Sequence, residues 1–234
     1  MTKTGDPPDG GIGMDLMEAM RQRHSVRRYE NRPLDEETAR TLEELVAAVN
    51  AESGLHIQLV KDEPKAFASA MARYGHFSGV TNYFALIGKK GAALEEQCGY
   101  YGEKLVLEAQ RLGLNTCWVA LTFKKTPEAY EIAPGEKLSV VISLGYGATQ
   151  GVPHRSKSPE ALGSVDGVPD WFRAGVEAAA LAPTAMNQQK FRFDYENGRV
   201  IARPGSGFYT KMDLGIAKYH FELGSGKGRE LWQA

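Results

Sequence analysis

Apolar and polar positions follow two rhythms along this chain, and the switches between them mark its elements. Met14, Met17 and Met20 recur at helical spacing, with Asp15 placed to start that helix. Asp35 opens a second helix, DEETARTLEELVAAVN, whose Leu42, Leu45, Val46 and Val49 share one face. LHIQLV alternates and reads as a strand. A short helical segment near Pro64 follows, and then NYFALIG, an apolar run suited to a buried strand. The longest helical pattern, AALEEQCGYYGEKLVLEAQRLG, stops at Gly113. TCWVALTF and KLSVVISLGYG read as two further apolar strands.

The pattern then breaks. GATQGVPHRSKSPEALGSVDGVPD is rich in Gly, Pro and Ser and reads as a connector. WFRAGVEAAALA is a helix that Pro183 ends or redirects. FRFDYENGRVIARP predicts a hairpin turning at Asn197-Gly198. DLGIAKYHFELG predicts a short helix ending at Gly224. An Ala-rich helix, a polar loop and a strand occur at VAAVNAESGLHIQLV and again at VEAAALAPTAMNQQKFRFDY, which suggests two related halves. Interspersed helices and strands predict an α+β or mixed layer fold.

Composition adds limits. The chain has 234 residues, 42% hydrophobic and 24% charged, with a formal net charge of −1. That charge gives no global pull towards nucleic acid or membrane, so any polyanion site must be local. Cys98 and Cys117 make neither a disulfide framework nor a zinc cluster and fit a reducing cytosol. The start, MTKTGDPPDGGIGMD, lacks the apolar core of a signal peptide and reads as a flexible tail over residues 1–13. No apolar stretch has the length of a membrane span.

Against that neutral background, RQRHSVRRYENRP stands out. Arg23, Ser25 and Arg27 alternate, so on an extended backbone two guanidiniums and a hydroxyl converge on one side. That arrangement suits a phosphate; a solvated basic helix end is the plainer alternative. LAPTAMNQQKFRF gathers Asn187, Gln188 and Gln189, amides that both donate and accept, and suits either a heteroaromatic ring or a self-bonded polar loop. In VPHRSKS, Arg155 and Lys157 alternate beside serines, as a solvated linker or as a second arm on the same anion. Cys117 has no CxxC partner and reads as a buried structural cysteine. GSGKGRE does not satisfy a phosphate-loop pattern, and the five histidines lack metal spacing.

As a set, these stretches resemble the nitroreductase family of flavin enzymes over most of Met14 to Gly224. The family's Arg-His/Arg-Ser-x-Arg/Lys segment corresponds to Arg23-His24-Ser25-Val26-Arg27, its Pro-Ser-x-x-Asn-x-Gln-Pro-Trp-like segment to residues 183–191, and its Leu-Gly-Leu-Gly-Thr-Cys-Trp-like stretch to residues 112–118. The good copy of the Pro-Ser-x-x-Asn segment comes late, while the early slot, residues 50–54, is degenerate. This resembles the single-chain, duplicated branch in which one polypeptide imitates the family's dimer. Lys190-Phe191 replaces the usual Pro-Trp, a change that bears on substrate contacts.

The resemblance implies a nitroreductase-like α+β fold, a central, mostly antiparallel sheet flanked by helices, with two related halves. It implies an N-terminal half at 14–150, a connector at 151–168 and a smaller C-terminal half at 169–234 that completes the site. It further implies one FMN per chain, contacted by Arg23, His24, Ser25, Arg27, Val119, Ala120, Leu121, Arg155, Lys157, Pro183, Thr184, Ala185, Asn187 and Gln189. NADH or NADPH would be the reductant, and a nitroaromatic, quinone or related small acceptor the substrate, in ping-pong hydride transfer with the flavin carrying the chemistry. The expected protein is a cytoplasmic monomer acting as an internal pseudo-dimer, without metal, nucleic acid or membrane. A flavin sensor or carrier without robust turnover would use the same residues, and a basic-loop protein that binds nucleotides or nucleic acid would lack flavin altogether.

Overall fold

The first helix forms where the methionine spacing places it. The Asp15 carboxylate accepts the Glu18 N–H at 2.7 Å and caps α1 (Leu16–Gln22). The computed structural model describes residues 13–232, so the tail expected over 1–13 lies outside the described residues except for Gly13. Asp35 caps α2 (Glu36–Ser53) by accepting the Thr38 N–H. Leu42, Val46 and Val49 are buried on its inner face, while Leu45 is half-buried at the margin.

Strands β1 (Gln58–Val60), β2 (Asn82–Lys89), β3 (Asn115–Val119) and β4 (Glu136–Gly145) form an antiparallel sheet in the order β1-β2-β4-β3. β1 is shorter than LHIQLV predicts. The Asn50 side chain accepts the Ile57 N–H and donates to the Ile57 carbonyl, both at 2.8 Å, so those backbone groups are diverted from the ladder. The helical turn expected near Pro64 lies further on, as α3 (Ala70–Tyr74). At Pro64 itself the Glu63 carboxylate accepts the N–H groups of Lys65 and Ala66 and shapes a turn instead.

β2 is buried on both faces. Phe84 and Leu86 face the larger core beneath α4 (Leu94–Arg111), together with Val140 and Ile142 of β4. Tyr83, Ala85 and Ile87 face a smaller core with Val26, Phe67, Phe77 and Cys117. That two-sided burial is why these strands read as continuous apolar runs.

After β4 the chain reaches α5 (Pro159–Leu162) and α6 (Asp170–Ala179). The stretch 151–168, expected as a plain connector, therefore holds a helix, and its Gly163 makes a single bridge to Phe193. Strands β5 (Phe191–Glu196) and β6 (Arg199–Pro204) form the hairpin predicted at Asn197-Gly198.

The last long helix, α7 (Thr210–Ser225), is neither short nor ended by Gly224. Gly224 lies inside it against α6, where a β-carbon would come 2.3 Å from the Ala178 β-carbon. The stop is Gly226, at φ 63°. α7 crosses α4 on a pair of glycines. A β-carbon on Gly99 would meet the Met212 carbonyl at 2.1 Å, and one on Gly215 would meet the Glu96 carbonyl at 2.0 Å. Each glycine thus receives the carbonyl three residues before the other. The order helix, strand, antiparallel strand, helix occurs in α2-β1-β2-α4, with α3 intervening, and in α6-β5-β6-α7.

Candidate functional site

β3 ends at Val119, and the chain turns there into a cavity of about 540 Å³. One wall is Val119, Ala120 and Leu121; a second is the loop carrying Pro183, Thr184, Ala185, Met186 and Gln188. The start of α7 and the residues before it close a third side with Phe208, Tyr209, Met212 and Asp213. Ser25 and Arg27 reach in from the arginine-rich segment.

That segment is extended, as its alternation requires. Arg23 has φ −67° and ψ 123°; the Val26 N–H donates to the Thr116 carbonyl at 3.0 Å, and residue 25 bridges to residue 116 alongside the strand. Val26 points into the smaller core, which leaves Ser25 and Arg27 to the cavity side. Arg23 is buried, 4% exposed, and its Nε has no hydrogen-bond partner among the described residues. Burial pulls its pKa down, opposed by the Glu103 carboxylate. A buried guanidinium nitrogen left without an acceptor is costly, and an arriving anion would relieve that cost.

Glu103 is itself committed elsewhere. Fully buried, it accepts the Trp118 indole N–H at 3.0 Å and pairs with His220 at 2.9 Å. The other His220 nitrogen faces the Ala178 carbonyl at 3.3 Å.

Of the residues expected at the cofactor, Ser25, Arg27, Val119, Ala120, Leu121, Pro183, Thr184 and Ala185 line this one cavity. Arg23, His24, Arg155, Lys157, Asn187 and Gln189 are not among the residues lining it. His24 contacts the Gln150 carbonyl through Nδ1 at 3.1 Å. Asn187 donates to the Arg155 carbonyl at 2.9 Å, while Lys157 donates from Nζ to the Gln189 carbonyl at 2.9 Å and from its N–H to Gln189 Oε1 at 2.6 Å. The structure thus brings the 155–157 segment onto the 187–189 turn, and the Lys157 cation serves that turn directly. Cys117 borders the cavity, and burial pushes its thiol pKa up, in keeping with a structural cysteine.

Sequence reasoning did not single out Asp213. It is 2% exposed, borders the cavity, and accepts the Ala185 N–H at 2.9 Å and the Gln188 amide at 2.7 Å. Burial pushes its pKa up to about 6, with the two donors opposing. A signal existed: α7 is buried nearly all round, yet carries Asp213, His220 and Glu222. Among the described residues no cluster of three or more His, Cys, Asp or Glu could hold a metal ion, and no helix is long and apolar enough to cross a membrane.

Comparison with known proteins bears on this cavity. Residues 15–225 match the family model of the "TM nitroreductase" proteins. A candidate nitroreductase from Thermotoga maritima shares the fold at TM-score 0.65 and 23% identity, covering 94% of this chain and 88% of its own. A Desulfovibrio desulfuricans nitroreductase solved in complex with FMN aligns at TM-score 0.51 and 19% identity, over 64% of this chain and 96% of its own. A Bacteroides thetaiotaomicron candidate NADH dehydrogenase/NAD(P)H nitroreductase aligns at TM-score 0.52 and 18% identity, over 64% and 97%. At these identities the likeness is one of fold. No curated protein matches significantly.

Proposed function

From the premise that the chain belongs to the TM nitroreductase family, we propose that it is an FMN-dependent oxidoreductase. It would pass hydride from NADH or NADPH to a nitroaromatic, quinone or related small acceptor, the two alternating at one site. The observation that carries this reading is Arg23, a buried guanidinium with an unsatisfied Nε, next to a segment that sends Ser25 and Arg27 into a cavity. A phosphomonoester bound beside that segment would supply the acceptor that Arg23 lacks. The cavity wall is largely apolar, with hydroxyl and amide groups on one side, as a flat ring with a polar edge requires.

Arg23, His24, Ser25 and Arg27 would hold the phosphate and ribityl chain, with Arg155 and Lys157 adding charge. Val119, Ala120 and Leu121 would offer backbone N–H groups, and Pro183, Thr184, Ala185, Asn187 and Gln189 would face the polar edge of the ring. Bound FMN supplies the two-electron chemistry. The chain's own part is to orient the ring, to keep water from its covered face and to leave one face open to reductant and acceptor in turn.

The same reading includes two related halves, 14–150 and 169–234, joined through 151–168. The reciprocal packing of Gly99 and Gly215 supports it, as does the match of nearly a whole Desulfovibrio chain to under two thirds of this one. The decisive experiment is an anaerobic absorption spectrum of the purified protein with FMN, followed by NADPH or NADH. A bound-flavin spectrum that bleaches is expected. A bound flavin that neither nucleotide bleaches points to a carrier or sensor, and failure to bind flavin overturns the proposal.

A further inference from the structure

The loop at residues 184–189 is built in a conformation that its own sequence does not favour. Met186, Asn187 and Gln189 all have left-handed backbone, at φ 51°, 53° and 45°. Of the three, only asparagine is enriched there, so the turn persists only where its surroundings fix it. Some of that fixing is local: the Thr184 hydroxyl accepts the Gln189 N–H at 3.0 Å. Some comes from the 155–157 segment, through the Arg155 carbonyl and Lys157.

A further part comes from Asp213. Its Oδ1 accepts the Ala185 N–H and its Oδ2 accepts the Gln188 amide, which also donates to the Phe208 carbonyl at 2.9 Å. The carboxylate is thus joined to both ends of the turn, at residues 185 and 188. No cation is among its hydrogen-bond partners in the described residues. Burying a carboxylate against neutral donors alone is expensive. At the glycine pair the helix meets α4 through Met212, Gly215 and Ile216.

We propose that Asp213 is a positioning residue, which clamps residues 185–188 in the strained shape that walls the cavity. The proposal rests on the reading of that cavity as the flavin site. Asp213 then acts on the ring end of the ligand, through the loop, and not on the phosphate end served by Arg23 and Arg27.

The test is titration of FMN and of riboflavin into the wild type, Asp213→Ala, Gln188→Ala and the double variant, with hydrogen exchange on the flavin-free proteins. Loss of the paired hydrogen bonds should weaken both flavins alike, by about tenfold for either single variant. The double variant should be no worse than the weaker single one, because the two side chains form one clamp. Asp213→Asn, which still offers an oxygen to the Ala185 N–H, should fall between wild type and Asp213→Ala. Exchange at residues 185–189 should quicken without change in α4 or the sheet. Unchanged affinity for both flavins in Gln188→Ala and Asp213→Asn, or faster exchange spread over the whole chain, overturns the proposal. A wild type that binds neither flavin overturns the flavin reading instead, and the exchange result still decides the clamp.

Discussion

Two buried side chains, Asp213 on the cavity wall and Arg23 two residues before the cavity-lining Ser25, have less company than their chemistry asks for. Among the described residues Arg23 lacks an acceptor at Nε, and Asp213 has donors but no cation. Replacing both Arg23 and Arg27 with alanine should strip FMN from the purified protein while leaving riboflavin affinity within a few-fold; retention of FMN at full occupancy would remove both from the phosphate site. For Asp213 the sign is the reverse of an ordinary ion-paired acid. Its folded pKa, about 6, lies above the ordinary 3.8, so its contribution to stability is full below about pH 4 and is lost as pH rises through 6. The shift corresponds to about 3 kcal/mol. Denaturant midpoints of flavin-free wild type and Asp213→Asn should therefore shift in the variant's favour between pH 4.5 and 7.5; parallel pH profiles would contradict that. The alternation of Arg23, Ser25 and Arg27 was legible in the sequence because an extended backbone converts spacing into side. Asp213 was not, because its partners, Ala185 and Gln188, come to it only through the tertiary fold.

At the scale of elements, β2, β4 and the hairpin were legible because continuous apolar runs and an Asn-Gly turn each have few competing structures. The misjudged elements share one cause: a side chain or neighbour redirects a local preference. Asn50 shortens β1, Glu63 turns the chain at Pro64, and the close approach of α6 keeps Gly224 inside a helix. The α4–α7 crossing makes a sharp prediction. Gly99→Ala places a methyl against the Met212 backbone and should cost about 2–3 kcal/mol by overpacking, read from urea denaturation. Gly91→Ala, with nothing within 4 Å of the added carbon, serves as the control and should be near neutral. Equal midpoints for the two variants would mean that the helices separate freely.

Across the whole molecule, the middle of the chain is tied to its last long helix by buried polar pairs. Glu103 of α4 meets His220 of α7, and Tyr100 donates to Glu222 at 2.6 Å. Phe172, Phe193, Phe221 and Trp232 form one aromatic cluster through α6, β5, α7 and the final turn. Buried residues of α6, β5 and α7 therefore share one core with those of α1, α2, β2, α4 and β4. Sedimentation combined with flavin absorbance should give a monomer carrying one FMN per chain; one flavin per two chains would remove the internal pseudo-dimer. The bridge from Ser25 to Thr116 has a consequence for solution behaviour. β3 is the outermost strand of its sheet, and the segment proposed to grip the phosphate is also what covers the unpaired side of that strand. Loosening this segment would uncover a template for strand addition from another molecule. Light scattering from flavin-free protein should accordingly grow with time and fall back when FMN is added, which would make the proposed cofactor a guard against self-association as well as a reagent.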